Sequence, residues 1–167
     1  MTTYEHQVTL EKNLLIDLEN LVNSFIKEEF EQKHKHQPLG LLTKFRNFFT
    51  SKKNKKSPKS DFQAFIDEYD KRETENSYLI ISSSLAYAKE RLGSSNENAT
   101  FSLDSRPLRL LENLLKDKCK AYKDETGSPA FNSLTGEPLH DVAKMLEAVR
   151  FAYKNIVITS DSSAFYS

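Results

Sequence analysis

Cys119 and His140 have the chemistry of a nucleophile and a general base, and Asp141 or Glu137 could orient the imidazole between them. Such a set would serve a small cysteine-dependent enzyme, in which histidine takes the thiol proton and the thiolate attacks an electrophilic carbon. Packing offers a simpler use for the cysteine. It stands on the helical spacing of Leu115 and Tyr122, where a cysteine fills a core as a small hydrophobe. No oxyanion loop accompanies the pair, so the residues do not by themselves assign catalysis.

The remaining polar groups give weaker patterns. His34 and His36 in "KHKH" are two apart, which puts them on different sides of a helix, and the lysines around them oppose a cation. The carboxylates of "DEYDKRETE" lack the spacing and the glycine of a calcium loop. "FNSLTGEPLHD" has no phosphate-loop pattern and reads as a turn. Neither a metal nor a cofactor is implied.

The segment with the strongest character is "LGLLTKFRNFFTSKKNKKSPKS", Leu39 to Ser60, in which three phenylalanines and three leucines stand among seven lysines and arginines without an acidic residue. Lys44, Phe45, Arg46, Phe48 and Phe49, followed by Lys52, Lys53, Lys55, Lys56 and Lys59, form a candidate binding segment. An amphipathic helix with basic neighbours suits an anionic membrane surface, each basic residue contributing on the order of 1 kcal/mol. Burial outweighs that attraction: each of these big apolar side chains gains roughly 1.5–3 kcal/mol on leaving water. The rings are therefore expected to be covered by the chain's own core, by a membrane or by a protein partner. Nucleic acid ranks last, because phenylalanines at helical spacing bury one another instead of presenting separate stacking faces.

The charge is unevenly placed. Gln32 to Ser60 holds nine of the 24 basic residues and no acidic one, which leaves a net charge of minus nine on the rest of a chain that is neutral overall. Such a dipolar molecule can be oriented by an anionic surface despite its zero net charge. One cysteine excludes an internal disulfide and suits a reducing compartment. The first residues, "MTTYEHQVTLEK", do not read as a signal peptide, and no apolar run approaches the length of a membrane span, so a soluble protein is expected.

These residues need elements to hold them. Four glycines and five prolines in 167 residues favour helices. Leu14, Leu18, Leu21, Val22, Phe25, Ile26 and Phe30 recur at three and four, predicting a helix capped by Thr9 and ended by Pro38 and Gly40. Leu41, Leu42, Phe45, Phe48 and Phe49 continue at helical spacing before a mobile basic linker near residues 50–60. Ser60 and Gln63 fit a capping box for a helix bearing Phe62, Phe65, Ile66 and Tyr69. That helix either breaks near Thr74 or runs on through Ile81, Leu85, Ala88 and Leu92 to Gly93, a short strand over "YLIISSSL" being the lesser alternative. A polar loop, "SSNENATFSLDS", leads to a helix from Pro107 with Leu108, Leu111, Leu115 and Tyr122 inward, closed by Gly127 and Pro129. The last helix follows Pro138, with Leu139, Val142, Met145, Leu146, Val149, Ala152, Tyr153 and Ile156 inward. Residues from Thr159 onward read as a flexible tail. The expectation is one all-α domain over residues 1–167, a compact bundle of about five or six helices.

The ending "NIVITSDSSAFYS", small and polar with Phe165 third from last, resembles the C-terminal translocation signals of bacterial effectors secreted by the type IVB (Dot/Icm) system. Those signals often carry a glutamate cluster somewhat upstream, where this chain has only Asp161 and, further back, Glu147. The resemblance implies synthesis in a bacterial cytoplasm and action in a eukaryotic host cell, where small helical effectors bind proteins or membranes. Taken together, the sequence is read as a non-enzymatic interaction module for a host protein or an anionic membrane. A cysteine-dependent enzyme, and a regulator or chaperone of another bacterial protein, are the alternatives.

Overall fold

The structure, a computed structural model, describes residues 2–31, 58–93 and 98–160. Its first element is a strand. In β1, Thr2–Glu11, His6, Val8 and Leu10 are buried while Gln7 and Thr9 face solvent, the period of two that a half-buried strand requires. Helix α1, Lys12–Ile26, starts where that alternation gives way to a spacing of three and four, and Leu14, Leu15, Leu18 and Val22 form its buried face. A π-helical turn, Lys27–Glu31, follows and keeps Phe30 beside Phe25 and Tyr78, with ring centroids 6.2 and 5.9 Å away.

Helix α2 runs unbroken from Pro58 to Arg91. It lies antiparallel to α1: Ser82 donates to Asn23 at 2.7 Å, and Lys89 pairs with the nearly buried Glu19 at 2.7 Å. Strand β2, Asn98–Leu103, buries alternate residues Ala99, Phe101 and Leu103. Helix α3, Ser105–Thr126, buries Leu108, Leu111 and Leu115 and ends on Gly127, whose φ of 71° is the left-handed cap that favours glycine. Helix α4, Asp141–Ala152, buries Met145, Leu146 and Val149, and the chain finishes its described course in β3, Ile156–Ser160.

The sheet order is β2-β1-β3, both pairs antiparallel. The strands are staggered. β2 pairs with residues 6–11 of β1 and β3 with residues 2–6, so only His6 has a partner on each side, Leu103 and Ile156. One face of the β1·β2 half packs on the helices; α4 contacts β1, and just after that helix the Asn155 carbonyl accepts from the Gln7 N–H at 3.2 Å. Every buried side-chain polar atom among the described residues has a partner.

The all-α bundle of five or six helices is thus corrected: among the described residues four α-helices pack with a three-stranded antiparallel sheet. Thr9 lies within β1 instead of capping a helix, part of the expected polar loop is β2, and Ile156 belongs to β3 instead of extending α4. Leu139, expected inward, is exposed. "YLIISSSL" is helical. The helix expected at Leu41–Phe49 and the basic linker fall outside the described residues, apart from Pro58 to Ser60 in the first turn of α2.

Candidate functional site

Helix α2 is divided lengthwise between core and solvent. At 34 residues it is ~51 Å long, more than it needs to cross the core. Its C-terminal part carries a buried row, Tyr78, Ile81, Leu85 and Ala88, at three and four. From Asp61 to Asn76 no residue is buried. This arm nevertheless bears an apolar stripe at i, i+3, i+4 and i+7: Phe62, Phe65, Ile66 and Tyr69, of which the three aromatic residues are 67%, 61% and 55% exposed. The spacing is that of a helix face made to meet another surface, and no described residue covers it.

Acidic groups border the stripe. Asp61, Asp67, Glu68 and Asp70 outnumber Lys71 and Arg72 over the same turns. The local contacts of these groups hold the arm helical: Gln63 donates to Asp67 at 2.9 Å and Arg72 stands 3.8 Å from Glu68. Being exposed, such pairs contribute little stability, on the order of 0.3–0.5 kcal/mol. The base of the arm is fixed more firmly, where Tyr78 packs against Phe25 with ring centroids 4.7 Å apart and its hydroxyl donates to the Leu110 carbonyl at 3.4 Å.

Cys119 and His140 each have contacts of their own in the structure. Cys119 is partly buried against the core, and that burial pushes its thiol above the ordinary range, only partly offset by the positive charge of Arg150. His140 caps α4, its Nδ1 accepting from the Val142 N–H at 3.3 Å, and its ring stacks on Tyr122 with centroids 4.1 Å apart. No hydrogen bond joins the two. Asp141 lies 3.6 Å from Lys144 instead of orienting the imidazole. We expect thiol alkylation of the folded protein at neutral pH to be at least about tenfold slower than that of unfolded chain, because protonated and half-covered sulfur is a poor nucleophile. Timed iodoacetamide labelling read by mass spectrometry measures the ratio; equal rates would restore Cys119 as a reactive site.

A cleft between α2 and the edge strand β2, lined in part by Gln7, Tyr87, Arg91, Thr100 and Ser102, holds one charged group and no acid–base pair. Among the described residues, no three His, Cys, Asp or Glu side chains converge as metal ligands. The polar cluster of Glu112 with Lys116 at 2.8 Å and Arg150 at 3.7 Å ties α3 to α4, and the Lys116 hydrogen bond holds the carboxyl below its usual range.

Of the binding residues expected from the sequence, Lys44, Phe45, Arg46, Phe48, Phe49, Lys52, Lys53, Lys55 and Lys56 lie outside the described residues, as do His34 and His36, while Lys59 falls in the first turn of α2. The sequence does not single out the arm as a surface, although its four apolar positions are visible there as a helix face. No helix among the described residues is long and apolar enough to cross a membrane. Comparison of the chain with protein-family models, with curated proteins and with solved structures finds no match.

Proposed function

We propose that this protein is a non-enzymatic interaction module whose docking element is the arm of α2, Asp61–Asn76, and whose partner is a protein. The observation that carries this reading is the stripe of Phe62, Phe65 and Tyr69, more than half exposed on a helix that extends past its own core. Three large rings in water forgo roughly 1.5–3 kcal/mol each, which a complementary groove or helix recovers on binding. Aromatic residues clustered at the centre of a patch are also the side chains that anchor protein interfaces.

A protein suits the arm better than an anionic membrane does. The acidic residues beside the stripe would be repelled by such a bilayer, and the membrane reading therefore rests on the basic segment around Lys44–Lys59 alone. The resemblance of the C-terminal sequence to a type IVB secretion signal supports a eukaryotic host protein as the partner, reached by translocation from a bacterial cytoplasm.

A photo-crosslinking amino acid placed at Phe65, and in parallel at Leu134, which is 95% exposed on the turn before α4, tests the reading in living eukaryotic and bacterial cells. The expected result is one discrete crosslinked protein from position 65 and none from position 134. Crosslinks only to lipid, or only within the chain itself, would overturn the assignment of a protein partner.

A further inference from the structure

We propose that β3 is the seam of a homodimer, pairing edge to edge and antiparallel with β3 of a second copy about a two-fold axis through Val157. The surface is independent of the arm of α2. It arises from the stagger of the sheet. Because β2 reaches back only to His6, residues 2–5 of β1 and residues 157–160 of β3 form a two-stranded ribbon beyond the three-stranded region. Two strands alone are marginal in water and need a further strand or a packed face.

The ribbon also carries apolar surface that no described residue covers. Opposed residues of an antiparallel pair share a face, so Ile158 lies beside Tyr4, and Ile156 beside His6, on the side of the sheet that packs on the helices. His6 is buried, whereas Tyr4, Ile156 and Ile158 are 59%, 52% and 63% exposed. β3 pairs with β1 along one side only, and "IVITS" contains no charge and no proline, the residues that usually protect an edge strand from further pairing.

The order of those residues selects a second copy as the occupant. Ile156-Val157-Ile158 reads the same in both directions, so an antiparallel two-fold about Val157 sets Ile156 against the partner's Ile158, and Ile158 against the partner's Ile156. All four isoleucines then lie on one face, bordered by Tyr4 at each end, and the backbone groups of both edges are paired. A polar or charged peptide strand would satisfy the backbone but leave that apolar row uncovered.

Sedimentation of the full chain over a wide concentration range, combined with two variants, tests the seam. Wild type is expected to show a monomer–dimer equilibrium, and Ile158→Lys to weaken it by at least about tenfold while circular dichroism keeps its helical signal. In a Cys119→Ser background, Val157→Cys should be joined into dimers by a short bismaleimide and Leu134→Cys should not. The crosslink decides the matter should Ile158→Lys disturb the fold. A wild-type chain that stays monomeric at every concentration, or a dimer indifferent to Ile158→Lys with no crosslink at position 157, would overturn the proposal; in the latter case a crosslink at Phe65→Cys would move the seam to the arm.

Discussion

Ile81→Ala is expected to destabilise the protein by about 2–5 kcal/mol, whereas Phe65→Ala, in the same helix, should change stability by no more than about 0.5 kcal/mol. Ile81 is fully buried where α2 meets α1 and α3, so truncation loses its transfer free energy and leaves a cavity in close-packed surroundings. Phe65 is the larger side chain and would cost more if it were covered. Exposed as it is, its replacement by the best helix former even favours the arm by a few tenths of a kcal/mol. Urea unfolding followed by circular dichroism gives both numbers, with equal m-values required for the comparison. A loss at Phe65 comparable to that at Ile81 would show that the ring is covered in the isolated protein and would remove the arm as a docking surface.

The contrast within one helix explains what could be read from the sequence. The inward faces of α1, α3 and α4 are legible because leucines at three and four leave little choice: Leu14, Leu18, Leu108, Leu111 and Leu115 are all buried. The same rule fails for the arm. Periodicity shows that Phe62, Phe65, Ile66 and Tyr69 share a face, but it does not show whether another element is there to receive it. A stripe that meets the core and a stripe that meets a partner have the same spacing.

The sheet escapes a reading of the sequence for a different reason. In β2 the inward set is only Ala99, Phe101 and Leu103, interleaved with Asn98, Thr100 and Ser102, so a six-residue strand looks like the polar loop beside it. In β1 a histidine takes one of the core positions, and the apolar spacing of α1 begins at Leu14 closely enough to draw Thr9 into a helical reading. β3 follows α4 after a short turn, and its isoleucines continue the apolar run of that helix. Strand pairing is non-local: residues 6, 103 and 156 are neighbours only in space, and no short window along the chain contains all three.

His6→Ala should be among the most damaging single changes, costing about 3–5 kcal/mol, the sum of a large-to-small core truncation and two lost hydrogen bonds. The ring is buried and bridges elements far apart in sequence: Nδ1 lies 3.2 Å from the Ala152 carbonyl at the end of α4, and Nε2 3.0 Å from the Ser105 hydroxyl at the start of α3. A carbonyl can only accept, so Nδ1 carries the proton, and in the neutral ring Nε2 accepts from Ser105. Tyr153 meets the same ring edge-on at 5.5 Å. Removing the imidazole therefore leaves the Ala152 carbonyl with only the Asn155 N–H, 3.1 Å away, and empties a core position at the one residue of β1 paired with both neighbouring strands. His6→Phe, which keeps an aromatic ring of slightly larger size and loses the hydrogen bonds, should cost about 1–3 kcal/mol, and Ser105→Ala about 1 kcal/mol. Urea midpoints of the three variants test the order Ala, Phe, Ser105→Ala in falling cost. If His6→Ala costs less than about 1 kcal/mol, the ring is not the joint between sheet and helices, because no buried side chain with two long-range hydrogen bonds can be deleted so cheaply.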